Sequence, residues 1–282
     1  MNKPAPAPDL DLEPGVTTDL AGQLTYGRYL ELDRLLGCQR PVSDSHDEML
    51  FIVIHQATEL WLKLMVHELR AARARIAADD LQPAFKMLAR VARIQAQLIQ
   101  SWDVLSTLTP ADYLVFRHQL GPASGFQSHQ YRLIEFLLGN KQAGVLAVYR
   151  HDPKIHAALA DELIRPSLYD ETLRLLGRRG LAIPPERLER DWGTPYQSHP
   201  SVRDAWATVY REAARNWDLY ELAEELVDLE DWSRQWRFRH VTTVERIIGH
   251  KRGTGGSSGV GYLKRALETT YFPELWQVRT DL

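Results

Sequence analysis

This sequence predicts an all-α fold, and three observations carry that reading. Apolar residues recur at helical spacing along most of the 282 residues, while period-two alternation is scarce. Helix start signals stand ahead of several apolar runs. Ser201 to Ile248 contains neither glycine nor proline.

The first fourteen residues hold four of the fifteen prolines and read as a loose arm, leaving 15–282 as a single helical domain. Ser45-His-Asp-Glu48 reads as a capping box, with the serine oxygen bonding first-turn amides and Glu48 reaching back. It opens a helix through Phe51, His55, Trp61 and Met65 to about Ala77. Pro83 starts a second helix that continues toward Trp102. Thr109-Pro110-Ala-Asp112 combines a threonine cap, a first-turn proline and an acid at the positive helix end. That helix is short, because Gly121-Pro122 stops it. His129 to Leu138 forms another, closed by Gly139-Asn140, and 141–200 reads as short proline-punctuated helices. A single helix from Ser201 to Ile248 would span about 72 Å, so a break is expected, although no residue marks it. A final helix starts near Tyr262.

Composition excludes several function classes. Lys plus Arg number 34 against 37 acids, a net charge of −3, and no basic tail advertises nucleic acid. The longest purely apolar run, Met49 to Ile54, is far short of the ~20 residues of a membrane span. The N-terminus lacks the apolar core of a signal peptide, so a cytoplasmic protein is expected. One cysteine, Cys38, rules out an intramolecular disulfide, a multi-cysteine zinc site and a C-x-x-C-H haem attachment.

Three constellations could carry chemistry. Gly253-Thr-Gly-Gly-Ser-Ser-Gly-Val-Gly261 fails the phosphate-loop pattern, because no Gly-Lys-Ser/Thr ends it. It fails G-x-G-x-x-G as well, since Ser258 stands three residues after Gly255. It is either a flexible connector or a mobile lid whose small residues let backbone amides and Thr254 approach a ligand. None of the ten histidines makes H-E-x-x-H. His55 lies one turn after Phe51, and Trp232, Trp236, His240 and Val244 recur every four residues on one face. A histidine on such a stripe is either a core residue or an axial haem ligand, and periodicity does not choose. Tyr113 and Arg117, four apart, share a helix face beside Phe116. The arginine either pairs with a surface acid or holds a ligand carboxylate in a bidentate fork.

Read together, the segments resemble the tryptophan 2,3-dioxygenase family. The N-terminal stretches are Leu24-Thr-Tyr-Gly-Arg-Tyr-Leu30, His46-Asp-Glu-Met-Leu-Phe51 with His55, and Glu59-Leu-Trp-Leu-Lys-Leu64. Phe116-Arg117, Leu120-Gly-Pro-Ala-Ser-Gly-Phe-Gln-Ser128 and Glu135-Phe-Leu-Leu-Gly-Asn-Lys141 follow. Trp236-Arg-Phe-Arg-His240, Lys251-Arg-Gly-Thr-Gly-Gly-Ser-Ser-Gly259 and Phe272-Pro-Glu-Leu275 complete the set in family order.

The resemblance implies a helical homotetramer using haem b, ferrous when active. It would insert both atoms of O₂ across the indole 2,3 bond of L-tryptophan to give N-formyl-L-kynurenine. His240 would be the proximal iron ligand, with Phe51 and His55 over the indole and His55 the catalytic residue. Arg117, with Tyr113 nearby, would hold the carboxylate, and Thr254 would meet the ammonium and carboxylate end. Trp102, Ser124 and Gly125 would line the haem pocket, while Tyr26, Tyr29 and Leu30 would complete a neighbouring subunit's site. The rivals are the indoleamine 2,3-dioxygenases, a non-catalytic haem or tryptophan sensor, and a helical interaction module with His240 merely in its core.

Overall fold

Among the described residues, caps, prolines and glycines cut the chain into thirteen α-helices with short 3-10 segments between them, and no strand occurs. The computed structural model describes residues 12–282, so most of the expected 1–14 arm lies outside the described residues. The chain divides at Arg40–Pro41 into two units. The first holds α1 (Tyr26–Tyr29), whose Thr25 cap accepts from the Arg28 amide, and α2 (Leu32–Leu36). Neither helix contains a buried residue.

In the second unit α3 spans His46–Ala77, as the start signal predicts, but the cap differs. Ser45 makes no side-chain cap bond; Glu48 reaches past it to accept from the Val42 amide (2.7 Å), the Ser43 amide (2.8 Å) and the Ser43 hydroxyl. A nearly buried carboxylate is better satisfied by three donors than by the single amide of a capping box. The next helix, α4 (Leu81–Leu105), starts two residues before Pro83. The first-turn position suits a residue without an N–H, because those amides lack intrahelical acceptors. The Thr109–Asp112 capping box and Pro110 open α5 (Pro110–Arg117) as expected. Gly121 at φ 56° ends the turn after it, and Gly139 at φ 105° closes α6 (His129–Leu138).

Residues 141–200 form α7 (Pro153–Leu163), α8 (Leu168–Arg178) and α9 (Pro185–Leu188), two of them with proline at the first position. The glycine-free stretch does break, into α10 (Pro200–Arg211) and α11 (Trp217–Ile248). Val202, Trp206 and Val209 of α10 and Leu219, Leu222 and Leu226 of α11 all bury in one core, which a straight rod could not achieve. Instead of one final helix near Tyr262 there are two, α12 (Val260–Ala266) and α13 (Pro273–Gln277).

The main core joins α3, α4, α6, α8, α10 and α11. A smaller apolar cluster of Leu105, Leu108, Tyr113, Phe116 and Ile247 gathers Phe51 and Trp102 around it. This second cluster fixes α5 against the start of α3 and the ends of α4 and α11, and beside it the cavity opens.

Candidate functional site

A cavity of about 790 Å³ is lined by α3, α4, α5, α11, the 120–135 segment and the glycine loop. That volume lies in the ordinary range of ligand pockets, roughly 300–1,000 Å³. Phe51, His55, Trp102, Tyr113, Arg117, Ser124, Gly125, His240 and Thr254 all line it. Nine candidates scattered over two hundred residues are thus brought together. Tyr26, Tyr29 and Leu30 belong to the first unit and are exposed.

His240 sits in the second half of α11, where burial first, and His55 second, push its pKa down to about 4. It is therefore neutral near pH 7, the form that can ligate a metal. Its ring stacks on Trp102 (centroids 4.6 Å apart, 13° between planes) and meets Trp236 at 5.2 Å. Periodicity left two readings open, and the ring faces a cavity instead of closed core.

His55 projects from α3 beside Phe51, ring centroids 4.2 Å apart. Its Nδ1 lies 2.6 Å from the Phe51 carbonyl, an atom that only accepts, so Nδ1 carries the proton. Burial chiefly, against the Phe51 bond and the Glu59 charge, lowers its pKa. The ring is thus neutral, and Nε2 is left as a hydrogen-bond acceptor.

Arg117 meets no acid among the described residues. Its guanidinium donates to the Arg252 carbonyl and bonds Tyr113, and its buried Nε lacks an acceptor. The glycine loop is packed rather than a free connector: the Thr254 hydroxyl donates to the Ala123 carbonyl, and Gly253 accepts from Gly256 within its own turn. Two glycines are required by geometry. A Cβ on Gly255 would stand 2.8 Å from the Ser124 Cβ, and one on Gly259, at φ 59°, would stand 2.5 Å from the Lys251 carbonyl oxygen.

The sequence reading missed the polar end of the cavity. Arg132, Glu135 and Arg237 line it, with Arg132 paired to Glu135 and Arg237 donating to the Thr269 carbonyl. The signal was spacing: Arg132 and Glu135 are three apart, as are Arg237 and His240, so each pair shares a helix face. Buried N–H groups without acceptors sit on Trp102, Arg117, Arg132, Trp236 and Arg237, all lining residues. Such donors are costly unless a ligand satisfies them, so the cavity suits an anionic, largely aromatic occupant. A haem, with a flat apolar macrocycle and two carboxylates, fits this donor set around one neutral imidazole. Among the described residues no cluster of three or more potential metal ligands occurs, and a haem needs only one.

Fold and site define an all-helical protein with a histidine-centred cavity built for an aromatic, carboxylate-bearing ligand. The family model described as tryptophan 2,3-dioxygenase matches residues 12–157 and 145–282. A tryptophan 2,3-dioxygenase of Bacillus thuringiensis (strain Al Hakam) is 58% identical over 271 residues, covering 96% of this chain and 97% of that one. Another, of Bordetella parapertussis, is 59% identical over 264 residues, covering 94% and 93%. A third, of Polaromonas sp., is 58% identical over 264 residues, covering 94% and 90%. This chain belongs to the tryptophan 2,3-dioxygenase family.

Proposed function

We propose that the chain is a haem-dependent dioxygenase that converts L-tryptophan and O₂ to N-formyl-L-kynurenine, the first step of tryptophan degradation by the kynurenine route. The observation that carries this reading is the convergence on one cavity of His240, His55 and Arg117, the last with no acid beside it among the described residues. In this assignment His240 would hold the haem iron, Trp102, Ser124 and Gly125 would line the haem pocket, and Arg132 and Arg237 would offer cationic partners for its carboxylates. The bound haem supplies the ferrous iron that activates O₂.

The chain's own residues position the substrate. Arg117 takes the tryptophan carboxylate in a charge-assisted fork, which Tyr113 helps orient. The Thr254 hydroxyl donates its proton to the Ala123 carbonyl, so its oxygen accepts from the ammonium at the amino-acid end of the substrate. Phe51 covers the indole, while Nε2 of His55 accepts the indole N–H. That proton need not leave, because an electron-rich indole reacts at its 2,3 bond with the N–H intact.

We assign Tyr26, Tyr29 and Leu30 to the site of a neighbouring subunit in a homotetramer. Their exposures of 75%, 71% and 39% support an apolar segment that needs a partner. Met49, Val53 and Leu60, exposed on one stripe of α3, support self-association too. That helix is apolar and long enough to cross a membrane, with a mean hydropathy of 1.4 over its best window. Its second half is built into the protein core, which favours a protein partner over lipid.

Haem-loaded protein mixed anaerobically with L-tryptophan, then exposed to O₂, should develop formyl-kynurenine absorbance. His240→Ala should lose stable haem binding, and imidazole should partly restore it. Full haem occupancy and normal turnover in that variant would remove the assignment.

A further inference from the structure

We infer that Trp102 is a positioning residue that sets the plane of the His240 imidazole, in a register pinned two helical turns away by Gln95 and Ser233. The inference rests on the assignment of His240 as iron ligand. A histidine side chain rotates broadly about its last bond, so a ligating ring needs something to fix its plane. Metal-bound histidines usually achieve this by donating the second ring N–H to an acceptor. Among the described residues the His240 ring has no hydrogen-bond partner; it has aromatic neighbours. Trp102 lies almost parallel to it at 4.6 Å, and Trp236 approaches at 5.2 Å and 48°. An indole face 13° from parallel leaves the imidazole little room to turn.

The stack is held in place by the way α4 meets α11. Gln95 is buried, and its amide donates to the Ser233 hydroxyl (2.7 Å) and the Leu229 carbonyl (3.2 Å). Trp102 and His240 each stand seven residues later, so the same pairing recurs two turns along two parallel helices. The Gln95 Oε1 already lacks a partner, and a one-residue slip would strand the N–H donors as well, a cost that fixes register as a single buried polar pair can. On the outer side Asp103 pairs with Arg239, closing the contact beside the stack. Polar pin, aromatic stack and surface ion pair thus act on one joint.

The test uses the full-length haem protein and, separately, a His240→Gly background in which free imidazole replaces the side chain. Haem retained by His240→Gly without imidazole would sink the ligand assignment itself, whatever Trp102 does. With that assignment standing, Trp102→Leu in the His240→Gly protein should weaken imidazole binding roughly two- to tenfold, the worth of one stacked pair. In the His240 protein, Trp102→Leu should broaden the electron paramagnetic resonance lines of the ferric cyanide complex, as the ring plane becomes heterogeneous. Trp102→Phe, which keeps a stacking face, should recover most of both effects. Unchanged imidazole affinity and line width in Trp102→Leu would overturn the inference, as would failure of phenylalanine to rescue. If the leucine variant does not fold, Gln95→Leu carries the test: the same broadening supports the register pin, and wild-type line width refutes it.

Discussion

His55 has two ring nitrogens, and the Phe51 carbonyl commits one of them. This decides what a substitution should do. A neutral hydrogen bond is worth about 0.5–1.5 kcal/mol net, or about two- to thirteenfold in rate, whereas general base catalysis contributes roughly 10²–10⁴. His55→Ala should therefore keep measurable turnover, and 1-methyl-tryptophan, which clashes with the imidazole, should be accepted better by the shortened variant. A dead His55→Ala enzyme that still binds haem, tryptophan and oxygen would instead assign His55 as an obligatory base. Arg117 answers to a larger magnitude. Truncating one partner of a desolvated charge pair costs about 2–5 kcal/mol. Arg117→Ala should accordingly lower kcat/KM for tryptophan far more than tenfold with haem still bound. Tryptamine, lacking the carboxylate, should be a poor substrate that the substitution barely changes; equal losses for both would make the arginine structural.

At the scale of elements, the glycine loop is where backbone freedom becomes function. It closes on the 121–128 turn because Gly255 has no side chain to meet Ser124. Gly255→Ala forces a 2.8 Å carbon contact, and overpacking of this kind costs about 1–3 kcal/mol. The expected result is a KM for tryptophan raised roughly five- to hundredfold with normal haem content. Ser124→Gly added to it should recover much of the loss, since the clashing Cβ is then gone. A double variant no better than the single would show that the loop does not dock through this contact. Ser45 illustrates the opposite case, where element and boundary were legible but the donor set was not. The S-x-x-E pattern marks the start of α3 correctly, yet Glu48 bonds Val42 and Ser43, because the preceding chain folds back over its carboxylate.

For the whole molecule, the exposed α1 and the apolar stripe of α3 are the observations behind the proposed sharing of sites between subunits. Removing residues 1–30 should impair tryptophan binding more than haem binding, measured by titrating each separately. A fully active monomer isolated by dilution would defeat the shared site. The C-terminal Phe272-Pro-Glu-Leu275 stretch has a different purpose from the cavity motifs. Glu274 is fully buried and accepts from the Tyr169 and Tyr196 hydroxyls and the His199 amide, so it anchors α13 to the core. A motif shared with a family is not on that account a site residue.

What the sequence determined by itself was local and periodic. Helical spacing, caps and glycine stops located α3, α5, α6 and the break-prone stretch before Ile248, because these depend on neighbours within a few residues. The motif set gave the family and nine of the lining residues. Tertiary structure decided what spacing could not. It turned the His240 stripe toward a cavity, set Arg117 against the Arg252 carbonyl and Tyr113, protonated His55 on Nδ1, and gathered Arg132, Glu135 and Arg237 at the far end. The physical reason is that a side chain's neighbours across helices, and hence its charge state and free valences, are set by packing between segments far apart in the chain. Periodicity tells which face of a helix is apolar; only the partner helix tells whether that face meets core or ligand.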